Sequence, residues 1–300
     1  MNDGEGTRNA YVIAVGNQKG GCGKTANAVH LAAALGELGR KCLVMDLDAN
    51  RGATMSLGIP DESYVGSFEV LIGVERPLDA VLTTDAEEGI DLPENFSLIP
   101  TRRLLEDIDR ELLARNKFAD HRDCLREPIK ELRKHFDYIF LDTAPNISTP
   151  TIAAYKVADW IILSADPERL AIQGLNDAMN DVVTVRAAGN PDLRLLGVIL
   201  CKMQRRTRVS NELNEWVKDA FASAPGFGDF DTRISMATAV PKARTVGRTL
   251  FQEDPSHKVT EQYRALAREV ESRLKRAEKE DQKEENPAVA TMGEGSLTNG

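Results

Sequence analysis

The stretch from Gly16 to Thr25 reads GNQKGGCGKT, and its glycines and lysines are residue types that bind a phosphate chain. Glycines let backbone N–H groups turn inward towards phosphate oxygens, and a helix that starts after such a loop points its positive dipole at the same place. Lys24 would reach the terminal phosphates of a nucleotide, and the Thr25 hydroxyl would coordinate Mg²⁺. The other predicted nucleotide-binding residues in and beside this stretch are Gly20, Gly21, Cys22, Gly23 and Ala26.

Three aspartates stand where apolar runs end, and their carboxylates could hold Mg²⁺ or a water molecule. Asp46 and Asp48 follow the run CLVM, and the alternation of a strand puts both carboxylates on one face. Asp142 follows the run YIFL. Because parallel strands end at the same edge of a sheet, we expect these aspartates to lie beside the phosphate loop. Asp142 stands at the Walker B position, so its carboxylate is predicted to hold Mg²⁺ through water, while Thr25 coordinates the ion from the loop.

These side chains must be positioned by regular elements on both sides of the loop. The β-branched run YVIAV precedes the loop, an alanine-rich stretch follows it, and a second apolar run comes next. This order of strand, helix and strand favours a parallel sheet with right-handed crossovers. We predict an α/β fold with a mostly parallel, twisted sheet of about seven to eight strands and helices on both faces. Strands are predicted at 11–15, 42–45, 96–99, 138–141, 160–163 and 195–200, and helices at 25–38, 104–113, 124–135, 167–186, 210–221 and 257–277.

Charge and composition restrict the class of protein. A net charge of −9 excludes a basic coat over the whole protein, although it permits a local basic surface. The four cysteines are far apart and form no CxxC pair, which fits a reducing cytosol. We expect neither a signal peptide nor a membrane span, because no apolar run is long enough. We predict a flexible N-terminus over residues 1–10, a single domain over 11–277, and an acidic, disordered tail over 278–300.

The loop departs from the common phosphate-loop pattern, because Gln18 replaces a glycine and Lys19 adds a second lysine. KGGCGKT resembles the deviant Walker A motif of the ParA/MinD family of ATPases. In that family the early lysine, which Lys19 matches, crosses a dimer interface and contacts the phosphates of the partner's ATP. The resemblance implies a P-loop NTPase fold, ATP and Mg²⁺ as cofactors, a homodimer closed by ATP, and slow hydrolysis that a partner stimulates.

Three more segments carry the resemblance, which runs without a break from about residue 11 to about residue 175 and more weakly to about residue 277. CLVMDLDANRGATMSLG is similar to the family's D-x-D-P-Q-G-N-A-T motif, with Ala-Asn-Arg at 49–51 in place of Pro-Gln-Gly. This similarity implies that Asp48 positions or activates the attacking water and that Asp46 supports the network of lysine and Mg²⁺. FDYIFLDTAP and ADWIILSADPERLAIQGL match two later family motifs. The implied catalytic residues are Lys19, Lys24 and Asp48.

A basic segment further along the chain is a candidate for DNA contact. Residues 201–250 hold nine basic and five acidic side chains, an excess of four positive charges in a chain of net charge −9. Such a surface binds phosphates without reading bases. Arg206 resembles the arginine of the family's A-R-T-N element, whereas ISMATAVPKA matches the family's following segment poorly. The candidate DNA-binding residues are Arg205, Arg206, Arg208 and Arg233.

The resemblance implies a cytoplasmic, nucleoid-associated ATPase that partitions plasmid or chromosomal DNA with a ParB-like partner, in a small form without an N-terminal helix-turn-helix domain. Related orphan proteins position protein cargo instead. A MinD-like protein would cycle on membranes through an amphipathic final helix, but the narrow apolar stripe of 263–274 fits docking on the protein's own core, so we expect no stable membrane association. A cluster carrier would need paired cysteines, and a P-loop biosynthetic ligase would need a substrate site that the sequence does not show.

Overall fold

Six apolar runs of the sequence form the strands of one parallel sheet. They are β1 (Tyr11–Gly16), β2 (Cys42–Leu47), β3 (Phe96–Ile99), β4 (Tyr138–Thr143), β5 (Trp160–Ala165) and β6 (Arg194–Leu200). Neighbours follow the order β3-β2-β4-β1-β5-β6, so β1 lies between β4 and β5. This computed structural model describes residues 10–59, 64–84, 90–115, 118–168, 170–203, 208–220 and 228–285.

Helices connect the strands and cover both faces of the sheet. They are α1 (Lys24–Glu37), α2 (Gly52–Ser56), α3 (Ser67–Leu71), α4 (Ile108–Arg115), α5 (Arg126–Leu132), α6 (Thr149–Val157), α7 (Ala171–Ala188), α8 (Arg208–Ala220), α9 (Ala239–Thr245), α10 (Leu250–Glu253) and α11 (Lys258–Glu285). Short 3₁₀ turns cover Pro77–Ala80, Arg103–Asp107 and His121–Asp123. Helices α1, α2 and α9 to α11 share one apolar core, and α3 to α8 share the other.

The sheet is buried on both faces, which explains why its strands read as continuous apolar runs. Along β1, Ile13 and Val15 belong to the core under α1, while Val12 and Ala14 belong to the core under the other helices. Period-two alternation therefore sends apolar side chains of one strand into both layers. The predicted α/β architecture is confirmed.

The predicted number of strands is wrong, because the described residues form six rather than seven or eight. Segment 228–236 runs beside β6 but makes only isolated bridges at Asp229 and Ser235. The pairing breaks after Phe230, where the Glu269 carboxylate accepts hydrogen bonds from the Asp231 and Thr232 backbone N–H groups, at 2.8 and 3.1 Å. Beside it, the Arg273 guanidinium donates to the carbonyl oxygens of Leu196, Gly228 and Asp229, at 3.0, 3.1 and 2.6 Å. At the opposite edge, Leu82 makes a single antiparallel bridge to β3. Irregular segments thus cover both edges of the sheet.

Several predicted helix ends are also displaced, and two of them concern the phosphate loop and the tail. Helix α7 begins at Ala171 rather than at 167, because the preceding loop carries acidic side chains that bind the phosphate loop. Helix α11 continues past 277 to Glu285, where Glu278 accepts a hydrogen bond from the Tyr11 hydroxyl and Asp281 pairs with Arg194. Residues 1–9 and 286–300 lie outside the described residues, so the flexible N-terminus and the disordered tail stay predictions.

Arg273 joins α11 to the edge of the sheet, and we expect its loss to destabilise the fold. The side chain is 9% exposed, and besides the three carbonyl groups it binds Glu269 at 2.9 Å. Arg273→Ala should lower the free energy of unfolding by about 3 kcal/mol, because Glu269 and the carbonyl groups lose a buried charged partner. Urea denaturation measures the change. Arg268→Ala, on an exposed position of the same helix, is the control; equal losses in both variants would contradict the assignment.

Candidate functional site

The phosphate loop lies between β1 and α1, at the carboxyl edge of the sheet. Gly21 and Gly23 have φ values of 76° and 95°, a left-handed conformation that favours glycine. Gly23 also has no room for a side chain, because a Cβ there would lie 2.8 Å from the Cys201 Sγ. The Cys22 thiol is buried and donates to the Lys19 carbonyl at 3.2 Å, inside the loop. The loop therefore has the tight backbone curvature of a phosphate cradle.

Lys24 and Thr25 occupy the first turn of α1 at the base of this loop. The Lys24 side chain is buried, and its ammonium donates to the Lys19 carbonyl at 3.3 Å. Thr25 packs against Gly52, where an added Cβ would lie 2.8 Å from the Thr25 Oγ1. Both predicted phosphate-site residues thus face the space enclosed by the loop and by the end of β2.

Asp46 and Asp142 are directly opposite each other on β2 and β4, and both are fully buried. Asp46 accepts hydrogen bonds from the Thr54 backbone N–H and hydroxyl, each at 2.8 Å. Burial nevertheless raises the pKa of Asp46 to about 6. Burial, with the neighbouring charge of Asp46, raises the pKa of Asp142 well above its usual range, although Thr25 and Lys24 act in the opposite direction.

Neither carboxylate oxygen of Asp142 makes a hydrogen bond of normal geometry within the described residues. An unpaired buried carboxylate is costly unless a cation or donor compensates it. A cation beside Thr25 and Asp142 would supply that compensation, so these residues fit Mg²⁺. Because Mg²⁺ keeps several water and phosphate ligands, two protein oxygens are enough to hold it. When bound, it would neutralise charge on the phosphates.

Asp48 stands at the rim of the same space, half-buried, and its carboxylate accepts two hydrogen bonds from Asn50, both at 2.9 Å. The next residue, Arg51, has a φ of 59° where the family motif has glycine. Its buried side chain donates to the Thr101 carbonyl at 3.2 Å and to the Ile59 carbonyl at 3.3 Å. These contacts stabilise a left-handed turn that a non-glycine residue rarely adopts. The departure from Pro-Gln-Gly therefore leaves the aspartates in place.

Lys19 extends away from the cradle towards the loop between β5 and α7. Its ammonium lies 2.7 Å from the Asp166 Oδ1 and 2.7 Å from the Glu168 Oε2. Burial lowers the pKa of Lys19, but hydrogen bonds and charges of the two carboxylates outweigh it, so the pKa is raised overall. Lys202, after β6, reaches the same place: it donates to the Gly21 carbonyl and lies 3.4 Å from the Asp166 Oδ2.

A cavity of about 600 Å³ opens over the loop and continues along α1. Its phosphate end is lined by Gly20, Gly21, Gly23, Lys24, Thr25, Ala26, Asp48 and Lys202. The far end lies among α1, α9 and α11, where Tyr263 donates a hydrogen bond to Asn27 at 2.9 Å. Arg244 and Arg248 also line the cavity, together with apolar side chains such as Val29 and Val240. A cavity with a phosphate cradle at one end and mixed apolar and polar walls beyond it suits a nucleotide.

The four candidate DNA-binding arginines do not form one described cluster. Arg205 and Arg206 lie outside the described residues. Arg208 begins α8 with its side chain 91% exposed and pairs with Glu212 at 2.6 Å. Arg233 is only 24% exposed, because its guanidinium binds Asn214 and Asp229. Arg208 is thus available to a phosphate backbone, whereas Arg233 joins α8 to the chain beside β6.

Comparison with known proteins identifies the family of this chain. A family described as an AAA domain matches residues 10–195, which is more than half of the chain. The chromosome-partitioning ATPase Soj of Thermus thermophilus is 32% identical over 88% of this chain and 97% of its own length. The chain belongs to the ParA/MinD superfamily of ATPases. Its deviant Walker A loop, predicted from KGGCGKT, is the loop described above.

Solved structures with this fold resemble the chain over most of its length. The septum site-determining protein MinD of Pyrococcus horikoshii, in complex with Mg-ADP, is 26% identical with a TM-score of 0.67, covering 87% of this chain and 96% of that one. A cobyrinic acid a,c-diamide synthase of Mycobacterium smegmatis, with bound ADP and magnesium, is 28% identical with a TM-score of 0.70, covering 86% and 92%. One fold thus carries proteins named for different functions.

Sequence reasoning missed some residues that shape the site. Asp166 was visible only as one letter of a family motif, and its ion pairs with Lys19 and Lys202 depend on three separate loops meeting. Thr54, which binds Asp46, gives no chemical signal by its residue type. Within the described residues, no group of three or more His, Cys, Asp or Glu side chains could hold a metal ion. No helix in the described part of the chain is long and apolar enough to cross a membrane.

The raised pKa of Asp142 predicts a pH-dependent cost to stability. Because the fold opposes ionisation, the cost is absent at low pH and appears as pH rises above the ordinary aspartate range. Asp142→Asn should therefore raise the free energy of unfolding of the nucleotide-free protein at pH 8, by an amount on the order of 1–3 kcal/mol. The gain should shrink towards pH 4. Urea denaturation across this range, with exposed Asp192→Asn as control, measures it; a gain that does not depend on pH would refute the assignment.

Proposed function

We propose that this chain is a ParA-type partition ATPase that binds ATP and Mg²⁺, closes into a homodimer around the nucleotides, and binds DNA without sequence preference. The observation that carries the proposal is the position of Lys19. Its ammonium is held outside the cradle that Lys24 serves, at the rim of the loop. Such a lysine can act on the nucleotide of a second copy. The identity to Soj over most of both chains supports the same assignment.

Each charged residue of the site has a role in phosphoryl transfer, which depends on positioning and on neutralising charge. Lys24 and the loop N–H groups bind the β and γ phosphates. Thr25 and Asp142 would hold Mg²⁺, which would neutralise phosphate charge, and Asp46 joins α2 to the end of β2 by accepting hydrogen bonds from Thr54. Asp48, at the rim, positions the attacking water. Lys19 of the partner supplies the last cation.

Hydrolysis should be slow until a partner protein completes the site. The nucleotide adds negative charge to a place that already holds buried carboxylates, so a further cation or donor from outside the subunit should speed the reaction. A ParB-like partner that stimulates turnover would then control how long the dimer lasts. This arrangement suits a cytoplasmic protein that moves DNA over the nucleoid, or an orphan form that positions protein cargo.

A MinD-like membrane cycle is less well supported. The apolar side chains of the final helix face the protein's own core: Tyr263, Leu266, Val270 and Leu274 are each at most 1% exposed. Membrane binding through that stripe would require α11 to leave the sheet. We therefore place the chain with the DNA-partitioning members of the superfamily.

The proposed dimer depends on Lys19, which would contact the nucleotide of the other copy. Lys19→Ala should bind ATP with little change, because Lys24 serves the cradle of the same copy, but it should not dimerise. Light scattering with a non-hydrolysable ATP analogue and Mg²⁺ measures mass, and fluorescence titration measures nucleotide affinity. Lys134→Ala, an exposed lysine elsewhere, should dimerise like the wild type. An ATP-dependent dimer of Lys19→Ala would overturn the sandwich.

DNA binding should require ATP and fall steeply with salt, because phosphate contacts release counterions. A mobility shift with random-sequence duplex tests both properties. Arg206→Ala and Arg208→Ala should weaken binding to all sequences alike, and each should lower the slope of log affinity against log salt by about one. Arg110→Ala, exposed on α4, is the control. If the wild type with ATP shifts no duplex at low salt, the partition function fails.

A further inference from the structure

Two lysines from different loops share one buried carboxylate beside the phosphate loop. The Asp166 side chain is 2% exposed, with Lys19 2.7 Å from its Oδ1 and Lys202 3.4 Å from its Oδ2. The two ammonium groups approach opposite oxygens and do not exclude each other. The Lys19 side chain is 16% exposed and also binds Glu168, whose side chain is 63% exposed. Lys19 therefore has one buried and one solvent-facing carboxylate partner.

The backbone conformation of Lys202 directs its side chain towards Asp166 and the phosphate loop. Lys202 has a φ of 52°, which lies in the left-handed region that non-glycine residues rarely adopt. It follows β6 directly, and its ammonium donates to the Gly21 carbonyl as well as pairing with Asp166. Lys202 thus links the end of β6 to the phosphate loop.

Lys202 matters because it can keep the buried Asp166 carboxylate paired with a cation. A buried carboxylate that loses its only cation is strongly disfavoured. If Lys19 were the sole partner of Asp166, its departure would leave such a carboxylate behind. Because Lys202 already contacts the other oxygen, Asp166 keeps a cation when Lys19 moves.

We propose that Asp166 and Glu168 hold Lys19 within its own subunit in the nucleotide-free protein, and that Lys202 takes over Asp166 when Lys19 moves to the partner's ATP. This inference rests on the proposed ATP dimer. Lys202 is a positioning residue: it sets how readily Lys19 is released. The dimerisation equilibrium then includes the release of one lysine from each subunit.

Two substitutions should change the dimerisation affinity in opposite directions. Glu168→Gln removes one partner of Lys19 but leaves the Asp166–Lys202 pair, so dimerisation with a non-hydrolysable ATP analogue and Mg²⁺ should tighten by about fivefold. Lys202→Met leaves Asp166 dependent on Lys19, so dimerisation should weaken by about tenfold. Lys202→Arg should restore it, and so should the double variant Lys202→Met/Asp166→Asn, in which position 166 no longer carries a carboxylate that needs a cation.

A measurement without nucleotide tests the hold on Lys19 separately from the dimer. Labelling of the nucleotide-free protein with an amine-reactive reagent, read by mass spectrometry, gives the rate at Lys19 relative to exposed Lys134. The relative rate should rise in Glu168→Gln and fall in Lys202→Met. Sedimentation of the same variants with the ATP analogue gives the dimer dissociation constants.

The possible results distinguish the retention of Lys19 within its own subunit from the proposed ATP-dependent dimer. Unchanged labelling of Lys19 in both variants, or a Lys202→Met dimer as tight as the wild type, overturns the inference. Weak dimerisation that neither Lys202→Arg nor the double variant restores also overturns it, because a merely structural lysine behaves in that way. If the labelling rates shift as expected but the wild type never dimerises with ATP, the proposed function fails while the hold on Lys19 stands.

Discussion

The site depends on negative charge that the fold buries at the carboxyl edge of the parallel sheet. Asp46 and Asp142 face each other across neighbouring strands and are fully buried, and burial raises their pKa values. A parallel sheet makes this inevitable, because every strand ends at the same edge and delivers its terminal side chain there. The lysine side chains and the backbone N–H groups of the loop place positive charge beside these carboxylates, and Mg²⁺ bound with a nucleotide would add more.

Much of this could be predicted from the sequence, because the informative residues are close together in the chain. The loop, its flanking strand and its helix lie within 11–37, and their chemistry depends on local spacing. The six strands were also predictable, since each is an apolar run bounded by polar residues. The wrong strand number has a non-local cause: Glu269 of α11 binds the backbone N–H groups of Asp231 and Thr232, and nothing in segment 228–236 itself signals that interruption.

The contacts around Lys19 could not be predicted for a similar reason. They join the phosphate loop, the loop after β5 and the end of β6. Lys19 and Asp166 are 147 residues apart in sequence, and Asp166 and Lys202 are 36 residues apart. An isolated acidic residue in a motif reads equally as a solvated turn. Arg51 shows the converse case: the sequence departs from the family pattern, yet the backbone keeps the left-handed turn, because two carbonyl groups bind the longer side chain.

The direction of α11 has a practical consequence. The helix starts beside the nucleotide cavity, where Tyr263 binds Asn27, and ends where Glu278 and Asp281 bind the beginnings of β1 and β6. Over its 28 residues it spans about 42 Å, from the nucleotide edge of the sheet to the opposite edge. A fluorescent reporter joined after Glu285 would therefore be attached on the side away from the ATP, which leaves the proposed dimer face clear for imaging in living cells.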